Sequence, residues 1–354
     1  PYWMRFWKRK KKGALLYFYL WQMGIEAFIK KQNFTFDIAH NLNFHNDWIP
    51  SFLWLLQKPF LWGPVAHHPK VPKAFLTNFY GYKPYLIDRM KWSVKRLFWL
   101  VDPFLKITKN RAFKVIGVNS SVAKVLNLPE NKMKVLPAVA SEVVKLDDIK
   151  KQHGFHLLSI GRFVPLKGFD VTIRAFAMFY HQQEVNVRHE LKLTIIGKGP
   201  YKKQLKKLTK SLKLNEAVQF VEWVPRHELE QYFKKAKAFF FPSHEGAGMV
   251  VPEALSYGLP VLCFDNIGPG EFVNQNCGRT VPYGGYNNSV SNFADVLNEW
   301  YHDKQGLEKL SQGARKQFLE KFTWARKGRV LDAIYNEMMS EKTKIGAEAN
   351  MVLK

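Results

Sequence analysis

Two carboxylates, Glu245 and Glu253, stand with seven residues between them in PSHEGAGMVVPEAL, an otherwise apolar, glycine-bearing stretch at residues 242–255. The chain as a whole is cationic, with 54 Lys and Arg against 29 Asp and Glu and a net charge of +25. Two acids in such a setting are either solvated or placed to accept hydrogen bonds from hydroxyls, at about 1.5–3 kcal/mol per good contact. The bulky run AKAFFFPS before them reads as a strand, and a helix is expected to begin near Val250, with Pro252 tolerated in its first turn. Gly246 and Gly248 allow a ligand to approach the backbone, and the first-turn amides around Met249 and Val250 would point at an anion. The plain alternative is one capping glutamate and one surface glutamate.

Two earlier turns carry complementary charge. In SIGRFVPLKGFD, Gly161 frees the backbone at a strand end, and Arg162 and Lys167 flank a turn. A planar fork and a compact ammonium suit a diphosphate and its departure, although an isolated pair of this kind also reads as a solvated basic loop. In TIIGKGPYKK, Gly197 and Lys198 begin a G-x-G turn whose third glycine position is taken by Lys202, so a dinucleotide fingerprint is only partly present. A tight turn that needs glycine explains it equally well.

Turns of this kind act together only if strands and helices bring them to one edge. From about residue 151, six strand candidates (HLLSIGR, LKLTIIG, AVQFVE, AKAFFFPS, PVLCFD, GRTVPY) alternate with amphipathic stretches. This is the pattern of a doubly wound parallel sheet, in which ligands bind at the carboxyl ends of the strands. The first half offers four candidates, FDIAHNL, KPFLWGP, KVIGVNS and KVLPAV. A doubly wound half usually has about five or six strands, so the N-terminal domain is expected to be truncated, a view that the initial Pro1 supports. The domains are expected at 1–147 and 148–325, with a C-terminal helix at 326–354 that crosses back to the first domain.

In order and spacing, GRFVPLKG, IGKGP and E-G-x-G-x4-E-A-L-x-x-G-x-P-V, followed by IGPGEFVNQNCGRTVPYG, resemble the retaining glycosyltransferases of family four, the glycosyl transferases of group one. The resemblance covers residues 36–335 and is to the bacterial surface-polysaccharide type; KPFLWGPVAHHP is similar to a W-G-P strand of one subgroup. It implies an α/β GT-B fold of two facing Rossmann-like domains. It also implies transfer of a hexose from a UDP- or GDP-linked sugar to a glycan or polyprenyl-diphosphate-linked acceptor. On this resemblance Arg162 and Lys167 hold the diphosphate, Glu253 the ribose and Glu245 the transferred sugar. The backbone of Gly248, Met249 and Val250 meets phosphate, and the strand end at residues 220–225, including Val224, lies near the base. Gly161, Gly197, Lys198 and Gly246 complete the donor-binding candidates. The family's first-domain histidine near the anomeric carbon has its counterpart closer to Pro64, with His67 and His68 slightly beyond, and His67 is the candidate for that role. Ala247 departs from a phenylalanine common in relatives, which leaves the donor sugar open.

No cofactor is expected beyond the nucleotide sugar. A metal could be held by His40, His45, His67 and His68, but no ligand spacing and no D-x-D motif accompany them, so metal independence is expected. Cys263 and Cys277 suggest neither a disulfide framework nor a zinc site and fit a reducing compartment. The opening WMRFWKRKKKGALLYFYLW interleaves Trp3, Phe6, Trp7, Tyr17 and Trp21 with five cations, Lys8 to Lys12. That composition suits an anionic membrane surface, and a solvated helix face equally. A cytoplasmic enzyme, peripheral on the inner face of the membrane, is the expected setting. The rival classes are a nucleic-acid binder, for which no motif accompanies the charge, and a nucleotide-dependent oxidoreductase, against which the incomplete glycine fingerprint stands.

Overall fold

All ten expected strands form. The computed structural model describes residues 14–42, 46–145 and 153–352; the Trp3 to Lys12 cluster, His45 and the expected boundary at 147/148 lie outside the described residues. Strands β1 (Ala39–Asn41), β2 (Phe60–Val65), β3 (Lys114–Gly117) and β4 (Met133–Val135) make one parallel sheet in sequence order. Strands β5 (Phe155–Ile160), β6 (Leu191–Ile196), β7 (Val218–Val221), β8 (Ala238–Phe241), β9 (Val261–Phe264) and β10 (Gly278–Val281) make a second, ordered β10-β9-β8-β5-β6-β7 and parallel throughout. Read from the other edge, this is the 3-2-1-4-5-6 order of doubly wound nucleotide-binding sheets.

The apolar runs are continuous because both faces of the six-stranded sheet are covered. Side chains of a strand alternate between faces, so Ala238 and Phe240 enter one core with Leu157, Leu193 and Leu262. Phe239 and Phe241 enter another with Leu158, Ile196 and Val261. Each buried phenylalanine contributes about 1.5–3 kcal/mol relative to exposure, enough to fix the register and with it the positions of the turns beyond.

Packing divides the chain into two units that interleave in sequence. The first takes the described residues of 1–67, 91–138 and 328–354, and the second those of 68–90 and 139–327. In the second unit, Phe75 and Leu76 of the helix Lys73–Tyr80 are buried with the six-stranded sheet. In the first, Ile334 and Met338 of the last helix, Trp324–Val352, are buried with Leu61 and Ile116. Among the described residues no helix is long and apolar enough to cross a membrane.

Candidate active site

The chain leaves β5 toward β6 and β7 on one side and returns to β8 on the other, so the sheet's switch point lies between β5 and β8. The turns that diverge from these two strand ends leave a crevice there. They carry SIGRFVPLKG and PSHEGAG.

The two turns are laced together. The Leu166 carbonyl accepts the His244 N–H at 2.8 Å and the Ser243 hydroxyl at 3.2 Å. Gly168, at φ +65°, lies so close to the second turn that a Cβ on it would stand 2.1 Å from the Pro242 carbonyl oxygen. Gly197, which opens the turn after β6, is pressed in the same way against the first: a Cβ on it would stand 1.9 Å from the Gly161 carbonyl oxygen. The Lys198 carbonyl accepts the Phe163 N–H at 3.0 Å. A fourth turn, after β9, is joined through Asn266, whose Nδ2 donates to the Ser243 carbonyl at 2.8 Å.

On this frame Lys167 and Glu245, 78 residues apart, form an ion pair between Nζ and Oε2. The side chains are 17% and 12% exposed, and the ammonium also lies 4.9 Å from the centre of the Phe241 ring. A largely buried cation and a largely buried carboxylate thus sit side by side, each with capacity for a further partner. Arg162 is exposed on the same turn, and Lys198 lies 5.7 Å from the ring of exposed Trp223. Gly246 and Gly248 are buried in the loop, Met249 is exposed, and Val250 is half-buried at the start of the helix Val250–Ser256. Val224 packs against the second core. Glu253 sits apart from the ion pair, within that helix; burial raises its carboxyl pKa, and the positive charge of Arg226 opposes the rise.

His67 belongs to the first unit. Its Nδ1–H donates to Oδ2 of Asp47 at 2.6 Å, with side chains 7% and 1% exposed, and its ring packs 5.4 Å from Trp99. The indole Nε1–H of Trp99 donates to the Asp47 carbonyl at 3.0 Å. His68 belongs to the second unit, where its Nδ1 accepts the Gly246 N–H at 3.0 Å. His40 is engaged by the Tyr335 hydroxyl and the Gly63 carbonyl. Among the described residues no group of three or more His, Cys, Asp and Glu side chains could hold a metal ion.

Three participants carry no signal in the sequence. Asp47, the partner of His67, lies 20 positions away with no motif around it. His244 is buried beside Glu245, its ring nearly parallel to those of Phe264 and Tyr283 at 5.0 and 5.6 Å and its Nδ1 2.8 Å from the Tyr283 hydroxyl. Its Nε2 has no partner, and burial pushes its pKa down to about 3, so the ring is neutral. Asp170, one turn beyond Lys167, accepts hydroxyl hydrogen bonds from Tyr80 at 2.8 Å and Tyr286 at 2.7 Å. Only the acidic residue three positions after a turn lysine could have drawn attention to it.

A family model described as Glycosyl transferases group 1 matches residues 147–317. The chain is 27% identical over 211 residues to the amylovoran biosynthesis glycosyltransferase AmsK of Erwinia amylovora, covering 57% of this chain and 49% of that one. It spans about half the length of the curated relatives it matches. Among solved structures, WaaG, a glycosyltransferase involved in lipopolysaccharide biosynthesis, superposes with a TM-score of 0.61 at 16% identity, over 92% of this chain and 84% of that one. Anabaena HepE in complex with UDP and glucose superposes with a TM-score of 0.63 at 15% identity, over 88% and 81%. At that identity the likeness speaks for the fold, which is GT-B-like and has two parallel sheets. Over residues 147–317, just under half of its length, the chain is thus similar to the glycosyl transferases of group 1.

Proposed function

We propose that the chain transfers a hexose, with retention, from a UDP- or GDP-linked sugar to a glycan or polyprenyl-diphosphate-linked acceptor of a surface polysaccharide, on the cytoplasmic face of a membrane. The observation that carries this reading is the meeting of Lys167 and Glu245 at the switch point of the six-stranded sheet. The UDP and glucose in HepE and the part of AmsK in amylovoran biosynthesis support the substrate class.

In this reading the ion pair holds both side chains in place until the donor arrives. The diphosphate then takes Lys167 together with Arg162, and Glu245 turns to the sugar hydroxyls. Glu253 accepts the ribose diol. The bond from the anomeric carbon to the diphosphate oxygen breaks, its electron pair leaves on phosphate, and the two cations offset the growing charge. The acceptor oxygen bonds to the same face of that carbon and gives its proton to the departing diphosphate oxygen there. Asp47 fixes the tautomer of His67, with the proton on Nδ1, so that Nε2 can accept from a substrate hydroxyl.

Titration of UDP, GDP and NAD into the protein tests the reading. Saturable binding of UDP or GDP is expected, weakened about tenfold or more in Lys167→Ala through loss of a charge-assisted hydrogen bond, with no response to NAD. Saturable NAD binding, or steeply salt-dependent binding of random oligonucleotides with neither nucleotide bound, would sink it.

A further inference from the structure

The helix Tyr82–Val101 turns its apolar side outward. None of its 20 residues is buried. Four of its aromatic residues, Tyr85, Trp92, Phe98 and Trp99, are half-buried: Trp92 meets Trp99 edge-on at 5.8 Å, and Trp99 reaches Asp47 and His67. On the other side Leu86, Met90, Val94, Leu97 and Val101 are 62, 62, 45, 59 and 63% exposed. They recur every three or four residues, the spacing that lines one helix face. At about 100° per residue they fall within an arc of roughly 80°. A contiguous apolar stripe of this length on a soluble surface marks an interaction site.

Charge says what kind of site it is. The helix carries five cations and one carboxylate, and that carboxylate, Asp88, pairs with Arg89 at 3.1 Å. Around the helix, Lys91 borders the stripe on one side and Arg96 on the other, while Arg89 is tied to Asp88 and donates to the Val71 carbonyl at 2.5 Å. The guanidinium of Arg96 stacks over Trp92 at 5.8 Å, which holds it at the stripe's edge. A second copy would bring like charges together along both borders. An anionic lipid surface meets apolar stripe and cationic borders at once, with acyl chains for the one and headgroups for the other.

We propose that the helix Tyr82–Val101 is the membrane-docking element, lying in the headgroup plane of an anionic bilayer with the Leu86–Val101 stripe inserted. The proposal deepens the lipid-linked acceptor of the proposed function and rests on that reading for its purpose, whereas its physics is independent of donor binding. Docking through this helix would present the Trp99–Asp47–His67 group from the membrane side.

The test is co-sedimentation of the full chain with phosphatidylcholine vesicles, with and without phosphatidylglycerol, at low and high salt. The wild type is expected to pellet with the anionic vesicles, less so at high salt, and to stay in solution with the zwitterionic ones. The triple variant Leu86→Glu, Met90→Glu, Leu97→Glu, all at exposed positions, is expected to bind anionic vesicles about tenfold or more weakly, with an unchanged melting temperature and unchanged UDP affinity. Three results overturn the proposal: no vesicle binding by the wild type, equal binding by the variant, or a wild-type dimer that the variant converts to monomer. Loss of UDP binding by the wild type with vesicle binding intact would instead remove the donor-site reading and leave the docking element standing.

Discussion

At the residue scale, the candidate site combines one engaged carboxylate and one costly carboxylate. Glu245 is paired with Lys167 in the free protein, whereas Glu253 is half-buried and its pKa is raised by burial. A carboxyl raised in this way keeps its proton in the folded chain at pH values where the unfolded chain has released it. Its contribution to stability is therefore fully present below the ordinary value near 4.5 and is lost as pH rises through the raised value. Glu253→Gln is expected to melt higher than wild type at neutral pH, with the difference closing below about pH 4.5. The same change is expected to weaken UDP binding roughly tenfold to a hundredfold, since ribose loses a charged acceptor worth about 1.5–3 kcal/mol. Thermal melts across pH and titration calorimetry check both halves; equal melting curves would remove the burial argument.

At the element scale, the turns work because glycine lets them touch. Gly168 combines φ +65° with a position where any Cβ meets the Pro242 carbonyl. Gly168→Ala is expected to cost more than the roughly 1 kcal/mol of a left-handed alanine, because the two turns must also part, and to weaken nucleotide binding along with stability. A variant that melts like wild type would show that the turns are not braced against each other. The strands around these turns were legible in advance: runs such as AFFF and KLTII are too apolar and too short for anything but strands buried on both faces. The Glu245 turn was legible from its two glycines and the E-x7-E spacing. The partners Asp47, His244 and Asp170 were not, because a buried hydrogen bond between residues 20 to 116 positions apart leaves no local periodicity.

At the scale of the whole molecule, sequence order and packing order part company. Residues 68–90 precede two strands of the first sheet yet pack with the second unit. There Phe75 lies 4.9 Å from His244 and 5.3 Å from Phe264, and the Tyr80 hydroxyl donates to Asp170. Tyr80→Phe leaves the buried Asp170 with one hydroxyl donor fewer and is expected to cost about 1–3 kcal/mol, read as a lower melting temperature. An unchanged melt would mean that apolar packing alone holds the segment. The sequence by itself determined the ten strands, the parallel winding of the second half and the acidic and basic turns at the strand ends, because periodicity, glycine and charge act over a few residues. Only the tertiary structure decided that Lys167 pairs with Glu245, that Asp47 holds His67, that His68 reaches Gly246 and that the helix Tyr82–Val101 turns its leucines to solvent. Those outcomes depend on which faces remain after the cores are filled, and that is a property of the packed molecule.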